Sequence, residues 1–205
     1  MADLGTADEV DDSSLDDLLA EADGGTADAD HATLMAKARQ GTLTTGERAS
    51  LEGLSTSDEG FTSGTLILYQ DSKARKDIAS RRRYLDKLLT EPSNGYNPVF
   101  LSERAQVAIL EADYDEALDR ASKAEQHWQR LPSSQVFNRK AQIYAAKAKA
   151  WQGKFYQTED LDALRHAISS WQKYQEHVKR KSRTDLAKQA DAQIAKLNDI
   201  KRRLE

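Results

Sequence analysis

Histidine and cysteine are the side chains most often recruited for proton transfer, nucleophilic attack and soft-metal binding, so their placement bounds the chemistry open to a chain. Cysteine is absent, which removes disulfides, thiolate nucleophiles and tetrahedral thiolate zinc sites together. His127, His166 and His177 have no ligating side chain three or four residues further on, so none begins a helical metal face. The sequence also holds no phosphate-cradling Walker loop, dinucleotide fingerprint, nucleophile elbow or His-Glu-x-x-His motif. These residues predict no catalytic group, no metal and no cofactor; the expected function is recognition rather than reaction.

Cations and aromatics are the remaining groups able to hold a ligand. Lys73, Arg75, Lys76, Arg81, Arg82, Arg83 and Lys87 fall within fifteen residues, and Lys179, Arg180, Lys181 and Arg183 form a second group. Arg81, Arg82 and Arg83 are consecutive, so a helix points them about 100° apart and makes no basic stripe. A nucleic-acid surface needs such a stripe with interleaved aromatics and a strong positive excess. A solvated face, able to attract the protein's own acids, is the better reading, and a nucleic-acid-associated regulator is the competing class. Trp128, Trp151 and Trp171, with Tyr144 and Tyr174, could line a ligand pocket, but their spacing suits gap-filling between stacked hairpins.

Charge divides the 205 residues sharply. Residues 1–31 hold eleven acids and no Lys or Arg, leaving the rest with 30 cations against 23 acids. The segment 1–30 is too charged and too poor in apolar residues to collapse, which predicts a disordered acidic arm. Within it Leu15, Leu18 and Leu19 share one helical face after the cap-type Ser13 and Ser14, the pattern either of a short docking motif that folds on binding or of an incidental leucine cluster in a solubilising tail. The beginning of the chain has no basic segment followed by an apolar one, and no run reaches the roughly 20 apolar residues that span a bilayer. The expectation is a cytoplasmic protein without a membrane anchor.

The body reads as helices throughout, since strand-type alternation is nearly missing. Two short helices are expected in the segment 31–59, at His31–Gln40 and Thr45–Leu54, the second capped by Thr44 or Thr45. Residues 60–205 then form pairs at 61–74 with 77–90, 99–111 with 114–130, and 134–152 with 160–180, closed by a last helix over 183–204. Pro92, Gly95, Pro98 and Pro132 mark the breaks between pairs, and the stretch Gly153–Glu159 reads as an inserted loop.

The second pair carries the most specific pattern. Leu101 is large and apolar, Ala105 and Ala112 are small, Tyr114 follows the turn, and Ala117, Ala121 and Ala124 form a small-residue seam. A partial copy appears 36 residues later, with Phe137, Ala141 and Tyr144 in the places of Leu101, Ala105 and Ala108. In these positions the chain resembles tetratricopeptide repeats, helix-turn-helix units of about 34 residues that stack into a superhelix. The resemblance implies an all-α fold of about three stacked antiparallel hairpins in a right-handed solenoid, with a C-terminal capping helix. It also implies that a partner peptide or helical segment of another protein lies in a groove lined by the first helix of each pair. Carried onto the matching units, the groove positions are Ser102, Gln106, Asn138 and Gln142, with Arg139 alongside. Size and three-unit architecture are similar to those of secretion chaperones of the same class, from which the long acidic segment departs.

Overall fold

The computed structural model describes residues 29–58 and 60–205. Residues 29 and 30, expected to be disordered, are helical, and residues 1–28 of the expected acidic arm, with its Leu15, Leu18 and Leu19 motif, lie outside the described residues. Among these, nine α-helices carry the fold: α1 (Ala29–Gln40), α2 (Thr45–Glu52), α3 (Phe61–Ala74), α4 (Ile78–Thr90), α5 (Pro98–Leu110), α6 (Tyr114–His127), α7 (Ser133–Thr158), α8 (Leu161–Lys179) and α9 (Thr184–Leu204), with a 3₁₀ turn at Trp128–Arg130. None of them is long and apolar enough to cross a membrane. The described chain forms two compact units, divided between Phe100 and Leu101.

In the unit ending at Phe100, α3 is the hub. Helices α1, α2 and α4 all pack on it, which buries Leu66, Ile67, Leu68 and Tyr69 on consecutive positions and so on every side of the helix. Burial on all sides also traps polar groups there. Asp71 is fully buried and accepts hydrogen bonds from Arg48 Nε at 3.0 Å and Arg75 Nε at 2.8 Å. Two opposing charges in that position offset the cost of removing a carboxylate from water. Helix α2 begins with a reciprocal cap, as its sequence requires: Thr44 Oγ1 accepts from the Glu47 amide at 3.2 Å, and the Glu47 carboxylate accepts from the Thr44 amide at 2.7 Å. It ends at Glu52, two residues before the expected limit, at Gly53.

In the unit starting at Leu101, helices pack on their neighbours in sequence, α6 on α7, α7 on α8 and α8 on α9. Helix α7 is the shared wall. Ala146 and Ala150 meet Ala105, Ala108, Ala117 and Ala121 of α5 and α6. Ala141, Ala145, Ala148 and Phe155 meet Leu164, Ala167, Trp171 and Tyr174 of α8, and Leu197 of α9. Alanine on both faces lets α7 approach two neighbours closely, since the small side chain holds no backbone apart.

The expected loop over Gly153–Glu159 does not form. Helix α7 runs unbroken through Gly153 to Thr158, and the chain turns only at Glu159 and Asp160. The physical reason lies in the opposite helix. A Cβ on Gly153 would stand 2.2 Å from Cε1 of Tyr114, so the tyrosine ring occupies the space a side chain would fill. Here glycine marks close approach rather than a break.

Three helix junctions share one construction. Lys76, Ala112 and Glu159 adopt left-handed backbone at φ 56°, 58° and 56°, and each is followed by an aspartate that caps the next helix. Asp77 accepts from the Ser80 amide at 3.1 Å, Asp113 from Glu116 at 3.1 Å, and Asp160 from Asp162 at 3.0 Å. The fourth, at Ser182, is also left-handed but is followed by Arg183, which provides no side-chain cap.

Candidate functional site

The five groove positions lie on two helices of the same unit. Ser102 and Gln106 stand one turn apart on α5, and Asn138, Arg139 and Gln142 occupy adjacent turns of α7. Their surroundings differ. Ser102 and Arg139 are buried, whereas Gln106, Asn138 and Gln142 are half-buried. The accessible part of the face is therefore amide-rich.

Arg139 ties the two helices together. Its Nη1 donates to Glu103 Oε1 at 3.0 Å, and the same nitrogen donates to the side-chain oxygen of Gln142. Glu103 itself is 7% exposed and Arg139 is 1% exposed, so this is a charge pair out of water. Removing either partner would leave an uncompensated buried charge, at a cost of about 3–5 kcal/mol. Glu103 was not among the residues the sequence nominated. The signal was present, however, because Glu103 and Arg139 are 36 residues apart, the offset that relates Leu101 to Phe137. Opposite charges at that offset are the trace such a bridge leaves.

Arg104 sits next to Glu103 on α5 and points elsewhere. Fully buried, it donates from Nη2 to Glu116 Oε2 at 2.7 Å, with Glu111 Oε2 3.6 Å from Nη1. It therefore stitches α5 to α6 within the hairpin, while Arg139 links α5 to α7. A third polar link holds α7 to the end of the fold: Gln152 accepts from the Trp171 indole at 2.8 Å and donates to Gln193 at 3.1 Å. Trp171 is 3% exposed and packs between α7 and α8, the two helices of one expected pair, whereas the sequence suggested that large aromatics fill gaps between pairs.

Glu125 on α6 receives Lys147 of α7 and Lys173 of α8, each at 2.6 Å. Burial alone would raise its pKa; the two ammonium groups override that and hold the carboxyl below its ordinary range. Two of the imidazoles lie against rings. His166 stacks on Trp151 with centroids 4.5 Å apart, and His177 stacks on Phe137 at the same 4.5 Å separation. Among the described residues no group of three or more acids and histidines has a geometry that could hold a metal ion.

The basic run between α3 and α4 is partly neutralised in place. Arg75 pairs with Asp71, Arg82 with Asp86 and Arg83 with Glu52, at 2.8, 3.6 and 2.6 Å. Arg83 also donates to the hydroxyl of buried Tyr84, which itself donates to Glu52. Compared with protein-family models, with curated proteins and with solved structures, the chain matches none.

Proposed function

We propose that the chain is a non-catalytic adaptor or scaffold that holds a segment of another protein, extended or helical, on the face shared by α5 and α7. In this reading α3–α4, α5–α6 and α7–α8 are three tetratricopeptide-like hairpins, α9 is the end cap, and the acidic arm 1–30 modulates access to the face. The observation that carries it is the Glu103–Arg139 bridge. It joins residues 36 apart in sequence across two helices that would each be the first of a pair. A partner lying across those helices would meet Gln106, Asn138 and Gln142. Primary amides both donate and accept, so they suit a peptide backbone or a carboxylate without selecting one charge.

The test is site-directed photo-crosslinking. With a photoreactive residue at position 106, a discrete cross-linked protein is expected from the source cell; the same group at Leu204, 52% exposed at the end of α9, should capture nothing discrete. Asn138→Ala with Gln142→Ala should abolish the adduct at position 106. Equal capture at both positions, or an adduct indifferent to the double substitution, would remove the reading.

A further inference from the structure

The side of α7 turned away from Asn138 and Gln142 presents a second surface. Phe137, Lys140 and Tyr144 lie about 100–160° round the helix from Asn138. Two of them clasp His177 of α8. The Phe137 ring stacks on the imidazole at 4.5 Å, the Tyr144 ring meets it edge-on at 5.4 Å, and His177 Nε2 donates to the Phe137 carbonyl at 2.9 Å. These three half-buried rings form an aromatic platform.

Cations surround the platform. Lys181 Nζ lies 5.9 Å from the Phe137 ring centre, Lys173 Nζ lies 4.6 Å from that of Tyr144, and Lys140 Nζ lies 3.3 Å from that of Trp128. Two positive groups here already have acids: Lys173 pairs with Glu125 and Arg180 with Glu176, both at 2.6 Å. Lys140 and Lys181 pair with no carboxylate among the described residues. Each lies over an aromatic ring, an attraction of about 0.5–1 kcal/mol at exposed sites such as that of Lys181. Carboxylates offered from outside could engage either ammonium group without breaking an ion pair among the described residues.

We infer that this surface of α7 and α8 docks an acidic peptide segment of a partner protein, with carboxylates on Lys140 and Lys181 and apolar side chains against the parts of the Phe137 and Tyr144 rings that their neighbours leave accessible. Nucleic acid fits less well, because sequence-tolerant strand binding stacks bases on open aromatic faces. Here His177 and Lys181 attend Phe137, and Lys173 covers Tyr144. The surface is separate from the one holding Gln106, and its occupancy does not depend on that face.

Full-length protein titrated with a short fluorescein-labelled peptide rich in Glu and Leu, followed by anisotropy at low salt, tests the inference. Lys140→Glu with Lys181→Glu is expected to weaken binding by about tenfold or more, and Lys140→Gln with Lys181→Gln by less, while Lys188→Glu on α9 leaves it unchanged. Circular dichroism on each variant separates lost binding from lost fold, and the glutamine pair serves if the glutamate pair does not fold. Failure of the wild type to bind the peptide would overturn the inference, as would equal weakening by Lys188→Glu. So would tighter binding of a single-stranded oligonucleotide of equal charge that the same lysine substitutions abolish.

Discussion

Ala112 closes α5 with φ 58°, a conformation in which an L side chain crowds the next carbonyl at a cost of about 1–2 kcal/mol. Its amide reaches Ile109 O at 3.1 Å and the Asp113 amide reaches Ala108 O at 2.9 Å, so the bonds that end the helix hold the strained residue in place. The residue is exposed. Ala112→Gly is therefore expected to stabilise the protein by about 0.5–1 kcal/mol, the relief of strain exceeding the extra freedom glycine has when unfolded. A urea titration checks this, and a midpoint that falls would contradict it. At this scale much of the candidate site was illegible in the sequence. Ser102 and Arg139 read as polar positions of an open face, yet both are buried. Nothing in one helix's own spacing reports what its neighbour covers.

Element positions were far more legible, because helices stop where the backbone lacks a donor or turns left-handed. Pro92, Pro98 and Pro132, with the three capping aspartates, bound most helices within a residue or two of where the pattern placed them. The exception is α7, extended by a turn and a half because tertiary contact overrode a local breaker. Gly153 is an unfavourable helix residue by about 1 kcal/mol relative to alanine. What it gains is visible only once Tyr114 is placed against it. Gly153→Ala should then lower stability by about 1–3 kcal/mol through overpacking, despite alanine's better helix propensity. In a Tyr114→Ala background the same change should be neutral or stabilising. A double-mutant cycle by thermal denaturation measures the difference, and additive effects would show that the ring and the glycine do not interact.

For the whole molecule, acid should be destabilising, and the titrating groups agree in sign. A hydrogen bond from Lys37, with help from Thr44, pulls Glu47 down to about 2; the Ser80 side chain and amide lower Asp77; Lys147 and Lys173 lower Glu125 against its burial. Carboxyls depressed by folding contribute stability above their ordinary values, and that contribution is lost as pH falls through the folded values. His177 acts earlier. Burial lowers its pKa from 6.5, so below that pH the unfolded chain takes up a proton the folded one refuses. Urea midpoints should decline from about pH 7 towards pH 3, and His177→Gln should flatten the part of that decline that begins near pH 6.5, above the carboxylate range. A wild-type curve flat across this range would refute the assignment. The short junctions also bear on how the chain comes to be folded. At Ala112, Glu159 and Ser182 almost no slack separates one helix from the next. During synthesis each emerging helix meets first the one made just before it, which from α7 onward is also its native neighbour. Order of manufacture and order of packing coincide, so alanine seams can close hairpin by hairpin before the C-terminus exists.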